Sequence, residues 1–287
     1  MWFFKALAYI VIGLPFSWRW GLARGLTFLW WDVFRFRRFT LYRNVTIVFP
    51  QDSHDERIRL IRQGLTHLGY TTLEVLTIPA ISESWVDRNV VFEGGENYER
   101  ARALNKGILF LSLHLANGDL GATALSLKGH PFHLISKRFR VGFLNRIWWK
   151  MREEKGTHFI DAHASENAFA ILKALRSKQE VCFVLDQFMG RPFGLETTFF
   201  GRPTGTAYGL ALFAAKTHAP VVPTYTYRGT DLKTHVVFAP PVEFEEVADK
   251  DLQMKRMTQK YNGVLEDIIR THPEQWMWVH RRWKKWE

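Results

Sequence analysis

Short apolar runs alternate with longer amphipathic stretches over most of this 287-residue chain. Apolar runs bounded by turn residues predict buried strands, and longer stretches with helical periodicity predict helices. This alternation is typical of a largely parallel or mixed central sheet covered by helices, so the sequence predicts a single α/β domain. The predicted strands are 90–93, 107–113, 132–136, 158–161, 181–186, 221–227 and 235–239, and the predicted helices are 56–69, 97–105, 119–127, 141–155, 165–177, 206–218 and 247–271.

The first 43 residues differ from the rest in their pattern. Residues 1–15 are apolar except for Lys5 and a few small or polar positions, and a second apolar stretch at 20–34 carries Arg24 and Asp32. The uninterrupted core at 6–14 is shorter than the roughly 20 residues that a spanning helix needs. Short apolar helices flanked by arginine and rich in Trp and Phe are typical of insertion at a membrane surface. We therefore predict a membrane-associating helical segment at 1–43 and an α/β domain at 44–287.

Two alternatives for this segment stay open. Up to Arg43 the chain carries seven Lys and Arg residues against one acid, Asp32. If the first stretch spans the membrane with tilt, the basic residues after it lie in the cytoplasm by the positive-inside rule. The other alternative is a helical hairpin that packs on the core of the protein. No cleavage site follows the first stretch, so a removable signal peptide is not expected.

Composition narrows the class of partner. Lys and Arg number 39 against 28 acids, a net charge of +11 that suits nucleic acid, anionic lipid or an acidic protein. The 12 Trp and 23 Phe residues favour a membrane–water interface, where indole rings and arginine side chains reach the headgroups. The sequence contains no recognised nucleic-acid-binding module, so we expect no nucleic-acid partner. A single cysteine, Cys182, excludes an intrachain disulfide.

A histidine and an aspartate stand five residues apart where the strand predicted at 107–113 ends. His114 follows this strand, Asn117-Gly118 is a turn signal, and Asp119 opens the next predicted helix. Ligand sites of open α/β sheets lie at this end of the strands. A carboxylate beside an imidazole fixes its tautomer, so the other ring nitrogen can act as a general base. Because such spacing also arises by chance, it leaves a catalytic and a structural interpretation open.

Patterns that would indicate a cofactor are missing from the sequence. It has no P-loop, no G-x-G-x-x-G after a strand and no G-x-S-x-G. Neither the pair His130 and His133 nor the group His158, Asp161 and His163 forms a ligand set at a convincing spacing. We expect neither a metal site nor a nucleotide cofactor.

Three further segments add to the histidine and aspartate. Asp186-Gln187 ends the strand predicted at 181–186, residues 199–206 form a glycine-containing loop before a predicted helix, and residues 273–284 read PEQWMWVHRRWK. Together and in this order they resemble the bacterial lipid A late acyltransferases, within the lysophospholipid acyltransferase superfamily, from about Arg43 to the end of the chain. His-x4-Asp is shared by the superfamily, whereas the Asp-Gln strand end and the tail are more specific to the lipid A branch.

The resemblance implies a fold like that of glycerol-3-phosphate acyltransferase and a set of site residues. His114 is expected to be the general base and Asp119 the acid that orients it, while Asp186 and Gln187 line the cleft. Basic residues near the same sheet edge suit phosphates, and the loop at 199–206 suits an anion or an oxyanion. The tail is assigned no catalytic role. It is either a membrane-facing belt or a buried segment. The substrate-binding candidates are Lys137, Arg138, Arg140, Asp186, Gln187, Arg191, Gly201 and Thr206.

The resemblance also implies a function. We expect a membrane-associated acyltransferase on the cytoplasmic face of a bacterial inner membrane, which transfers a fatty acyl chain from an acyl thioester to a hydroxyl of a lipid A precursor. The favoured donor is an acyl carrier protein thioester, with acyl-CoA as the alternative, and no resident cofactor is expected. Another acceptor, such as a lysophospholipid, an amino-acid lipid or an inositol mannoside, stays open. So does a non-catalytic lipid-binding membrane protein.

Overall fold

A seven-stranded sheet forms the centre of the molecule. The structure is a computed structural model that describes residues 2–130, 132–137, 142–162, 164 and 166–286. The seven predicted strands are confirmed, each within two residues of its predicted bounds. The strands of this sheet are β1 Val90–Glu93, β2 Ile108–Ser112, β3 Phe132–Ser136, β4 His158–Asp161, β5 Glu180–Val184, β8 Val221–Arg228 and β9 Thr234–Phe238, and a separate hairpin consists of β6 Gly194–Phe199 and β7 Arg202–Ala207.

The strand order explains why the sheet is mostly parallel. It runs β1-β9-β8-β2-β5-β3-β4, and the five strands from β8 to β4 are parallel to one another. The last two strands run in the opposite direction, since β9 is antiparallel to β8 and β1 is parallel to β9. The prediction of a largely parallel sheet in an α/β fold is therefore confirmed.

Helices bury both faces of the sheet. On β2, Leu109 and Leu111 pack into one core cluster, whereas Ile108 and Phe110 pack into the other. Continuous apolar strands are typical of a sheet that is covered on both sides. The helices are α1 Trp2–Gly13, α2 Phe16–Phe28, a π-helix Leu29–Phe34, α3 Arg38–Val48, α4 His54–Val75, a 3₁₀ turn Ile78–Ala80, α5 Glu83–Asn89, α6 Gly95–Ala103, α7 Gly118–Leu127, α8 Gly142–Glu153, α9 Asn167–Arg176, α10 Gly209–Thr217, α11 Lys250–Thr271 and a 3₁₀ turn Pro273–Gln275.

The predicted loop at 199–206 is wrong. This segment is part of the β6–β7 hairpin, whose strands pair antiparallel from Gly194 with Ala207 to Phe199 with Arg202. The two turn residues, Phe200 and Gly201, both have positive φ, 50° and 69°. A two-residue turn of this twist favours glycine or asparagine at both positions. Because Phe200 occupies the first position, the sequence lacks the usual pattern of a hairpin turn. The helix that follows begins at Gly209 rather than at Thr206.

The N-terminal helices pack on the α/β core and leave a large apolar surface uncovered. Helix α2 lies along α4, where the Thr27 and Thr66 hydroxyls are 3.0 Å apart. Among the described side chains, 17 large apolar residues are exposed, and 11 of them lie between Tyr9 and Phe39. No single described helix is both long enough and apolar enough to cross a bilayer. The segments Lys5–Gly13 and Phe16–Phe34 together have the necessary length and apolarity, but they are bent by 106° relative to each other. The boundary at residue 43 stays a prediction.

The C-terminal tail is buried. Trp276, Trp278 and Trp283 are 1%, 2% and 6% exposed and belong to the core cluster on one face of the sheet. The tail is anchored to α3 because the Asn44 side-chain amide donates to the carbonyls of Trp278 and His280, at 2.8 and 2.7 Å. Of the two interpretations of the tail, the buried segment is therefore the correct one for these three tryptophans.

Glycine at position 64 is required by this packing. A Cβ atom at Gly64 would lie 2.8 Å from Cδ1 of the buried Trp278, which has no room to move. We expect Gly64→Ala to lower the free energy of unfolding by about 1–3 kcal/mol. The matched control is Gly263→Ala in α11, where a Cβ meets nothing within 4 Å, and which should be neutral or stabilising by up to about 1 kcal/mol. Urea unfolding of both variants checks this, and equal stability of the two would contradict it.

Candidate active site

The adjacent parallel strands β2 and β5 bring His114 and Asp186 together. Their register pairs Ser112 with Val184. Two residues further along, at the carboxyl end of both strands, the same register brings His114 beside Asp186. The two side chains meet there, with His114 Nδ1 2.7 Å from Asp186 Oδ1. The pair thus lies at the sheet edge where α/β folds place their ligands.

Asp186 is a fully buried carboxylate that accepts three hydrogen bonds. Besides the imidazole, the His114 backbone N–H donates to Oδ2 at 3.0 Å, and the Trp276 indole N–H donates to Oδ2 at 2.8 Å. Burial alone would raise the pKa of Asp186, but the charge and hydrogen bond of His114 and the indole donor outweigh burial and hold the pKa well below its usual range. Asp186 is therefore ionised at neutral pH.

This arrangement leaves one nitrogen of His114 able to take a proton. When Nδ1–H donates to Asp186, Nε2 carries the lone pair of the ring. Burial disfavours the charged ring, but the carboxylates of Asp186 and, further away, Asp119 raise the pKa of His114 above 6.5. The side chain is 32% exposed, so solvent and ligands can reach it. The geometry is that of a general base supported by a buried carboxylate.

Asp119 has a different partner from the one that the sequence led us to expect. It lies in the first turn of α7, and its Oδ1 accepts a hydrogen bond from Arg152 Nη1 at 2.5 Å. Arg152 is 2% exposed and lies between the rings of Trp148 and Phe159, 4.8 and 4.5 Å from their centroids. Asp119 therefore acts on His114 through space, while Asp186 makes the direct contact.

Gln187 joins His114 to a second imidazole, that of His280 in the tail. The Gln187 Nε2 atom is 3.2 Å from His114 Nε2 and 3.1 Å from His280 Nε2. The two rings meet edge to face with their centroids 5.0 Å apart. Burial lowers the pKa of His280 to about 4 although Asp186 opposes this change, so His280 is neutral at pH 7 and accepts the amide hydrogen.

A buried arginine lies beneath this group. Arg282 is 0% exposed and donates to the carbonyls of Gly205 and Gln187, at 2.6 and 3.3 Å, and to the Thr206 hydroxyl at 2.7 Å. Burial lowers its pKa to about 10, and the charge of Asp186 does most to oppose this change. Arg282 thus ties the β6–β7 hairpin to the residue that follows Asp186.

The other predicted site residues lie away from these contacts or outside the described residues. Lys137 is exposed directly after β3, whereas Arg138 and Arg140 lie outside the described residues. Arg191 is exposed, with its guanidinium 5.8 Å from the centroid of the Trp286 ring. Lys137 and Arg191 stay predictions.

The hairpin residues do not form the expected anion site at a helix terminus. Gly201 occupies the exposed turn between β6 and β7, and Thr206 is fully buried on β7, where it binds Arg282 and Asn262. Within the described ranges, no three His, Cys, Asp or Glu side chains are grouped so that they could share a metal ion.

The polar residues of the tail belong to the site although the sequence did not indicate it. Trp276, His280 and Arg282 contact Asp186 or Gln187, yet the alternation of tryptophan with basic residues resembles a membrane belt. The signal in the sequence was the placement of His280 and Arg282 between tryptophans, because basic residues that are buried with such neighbours require a polar partner inside the fold. Arg152 was missed because its partner Asp119 lies 33 residues away on another helix.

Comparisons with known proteins agree with the resemblance of the motifs. The family model described as bacterial lipid A biosynthesis acyltransferase matches residues 1–285. A lipid A biosynthesis lauroyltransferase of Escherichia coli (strain K12) is 24% identical over an alignment of 291 positions that covers 99% of this chain and 90% of the relative. A lipid A biosynthesis palmitoleoyltransferase of the same organism is 24% identical over 84% of this chain and 77% of the relative. A lipid A biosynthesis acyltransferase of Haemophilus influenzae is 21% identical over 82% of this chain.

The two carboxylates near His114 should have unequal effects on its titration. Asp186→Asn removes the negative charge that contacts the imidazole ring of His114, and burial of the ring remains. The pKa of His114 should therefore fall below its usual value. Asp119→Asn removes a carboxylate that is already paired with Arg152 and should lower this pKa by less. NMR titration of the histidine side chains checks the order, and a larger drop in Asp119→Asn would contradict it.

Proposed function

The chain belongs to the bacterial lipid A biosynthesis acyltransferase family, and we propose that it transfers a fatty acyl chain from an acyl thioester to a hydroxyl of a lipid A precursor, with His114 as the general base. Membership of the family makes the chain an acyltransferase. The observation that carries the proposed mechanism is the contact between the ionised, fully buried Asp186 and Nδ1 of the accessible His114. We further propose that the fold is like that of the glycerol-3-phosphate acyltransferases.

The reaction needs a base because a neutral hydroxyl is a weak nucleophile. As the acceptor oxygen bonds to the thioester carbonyl carbon, its proton moves to His114 Nε2 and the carbonyl oxygen becomes an oxyanion. When the carbon–sulfur bond breaks, the leaving thiolate takes the proton back from Nε2. The products are an ester and a free thiol, and the enzyme returns to its starting state without a covalent intermediate.

The two carboxylates have separate parts in this mechanism. Asp186 holds the ring by Nδ1 and stabilises the imidazolium that forms when Nε2 takes the proton. Asp119 adds negative potential from a position held by Arg152, at the start of α7. Both acids thus favour the proton on His114 in the transition state, and Asp186 does so at contact distance.

The donor is proposed to be an acyl carrier protein thioester. The chain carries a net charge of +11, which favours an acidic protein partner over a neutral one. Acyl-CoA is the alternative donor, since its phosphates also suit basic residues such as Lys137. Two relatives are named for lauroyl and palmitoleoyl transfer, so a medium or long acyl chain is proposed here.

Loss of the imidazole tests the mechanism. We expect His114→Ala to reduce acyl transfer by about 10²–10⁴-fold while the protein still folds, because the acceptor proton then has no base. The control is His218→Asn, at an exposed position with φ 52° that asparagine tolerates. Mass spectrometry of lipids extracted from cells with each variant measures the transfer and identifies the acceptor. Near-normal activity of His114→Ala would overturn the mechanism, and a missing acyl group on a lipid other than lipid A would overturn the acceptor.

The exposed apolar side chains of the N-terminal helices are proposed to rest on the cytoplasmic leaflet of the inner membrane. Phe34, Phe36 and Phe39 are 73%, 54% and 78% exposed, and arginines flank them at 35, 37 and 38. Apolar rings amid basic residues suit an anionic lipid surface. Beside them, a cavity of about 590 Å³ between the α2 segment and α4 is lined almost wholly by apolar groups, including Leu26, Leu29, Trp30, Leu65 and Leu68.

Vesicle flotation tests this membrane surface. Replacing Phe34, Phe36 and Phe39 together by serine should lower the partition of the protein onto anionic vesicles by roughly tenfold or more, because each ring loses apolar burial. The control is Phe169→Ser on α9, a ring that is 67% exposed but lies in another part of the sequence. If the two proteins float equally, the N-terminal rings do not form the membrane surface.

A further inference from the structure

We infer that His280 in the C-terminal tail is a positioning residue of the active site, which holds the Gln187 carboxamide against the imidazole of His114. The inference rests on the proposed function only in taking His114 as the base. It assigns a role to a tail residue for which the sequence suggested none.

The Gln187 amide nitrogen lies against the ring of His114. It is 3.2 Å from Nε2 and 3.5 Å from Nδ1, and such similar distances to the two nitrogens mean that it lies over the ring rather than in line with a lone pair. The lone pair of Nε2 thus stays available to an acceptor hydroxyl. Meanwhile the positive N–H groups near the ring favour its neutral form.

His280 supplies the hydrogen-bond acceptor for this amide. Its Nε2 is 3.1 Å from the Gln187 nitrogen. Gln187 is itself an exposed residue, so without an anchor its side chain would lose little by turning into solvent. The anchor is rigid, since Asn44 binds the backbone carbonyl of His280 at 2.7 Å and the neighbouring Arg282 is fully buried.

The charged and titratable groups around the two rings belong to several elements. Asp186 after β5, Arg37 before α3 and His114 after β2 act on His280, while Asp186 and Asp119 act on His114. Burial lowers the pKa of His280 to about 4, so the ring is neutral at pH 7 and influences His114 through the amide rather than by its own charge. This separates a positioning role from an electrostatic one.

A double-mutant cycle with NMR titration of His114 tests the inference without requiring turnover. His280→Ala and Gln187→Ala should each raise the pKa of His114, by roughly half a pH unit, because the neutral ring loses the N–H groups that favour it. If His280 acts through Gln187, the double variant shows no further rise. Additive rises, or no rise in His280→Ala, would overturn the inference.

Two further variants separate positioning from a general loss of structure. His280→Gln keeps a terminal amide at the reach of Nε2, so it should return the pKa of His114 toward the wild-type value. His272→Ala removes another histidine ring, which stacks on Tyr227 with the centroids 4.3 Å apart, and should leave this pKa unchanged. A rise in His272→Ala equal to that in His280→Ala would also overturn the inference.

Kinetics keep this result distinct from a failure of the proposed function. If His114 is the base, the midpoint of the acidic limb of kcat/KM should move with its pKa in His280→Ala, and kcat should fall by roughly 3- to 30-fold with little change in KM. If the wild-type protein transfers no acyl group, the proposed function fails while the NMR cycle still decides the role of His280.

Discussion

A buried carboxylate that needs three donors organises one end of this protein. Asp186 is ionised with no exposed surface, a state that is costly unless hydrogen-bond donors reach both of its oxygens. The donors come from two parts of the chain, His114 just beyond the end of β2 and Trp276 in the C-terminal tail. The accessible imidazole of His114 depends on this carboxylate both for its tautomer and for its raised pKa.

The same requirement explains why the tail is buried. The indole N–H of Trp276 reaches Asp186 only if the tail passes under the carboxyl ends of the strands, where Met277 N–H also donates to the His114 carbonyl at 3.0 Å. His280 and Arg282 then arrive beside Gln187 from the same segment. Core packing and the chemistry of the site are thus coupled. The tryptophans that pack in the core and the polar residues that contact the site belong to the same short segment, so burial of the former places the latter inside the fold.

The strands of the central sheet could be predicted from the sequence because a sheet buried on both faces needs continuous apolar runs. Such runs can be recognised without knowing the order of the strands in the sheet. It identified His114 and both candidate acids, but not which acid contacts the ring. Local spacing pointed to Asp119, whereas the strand register, which a single sequence does not reveal, selected Asp186. Thr206 was misplaced because the turn at Phe200 lacks the usual residue, so the hairpin was taken for a loop.

The pH dependence of kcat/KM for the wild-type enzyme tests most directly whether His114, held by Asp186, is the base. The account predicts an acidic limb whose midpoint lies above 6.5 and coincides with the titration of the His114 imidazole observed by NMR in the same buffer. Rates that stay constant through this titration, or a limb that follows another histidine, would contradict it.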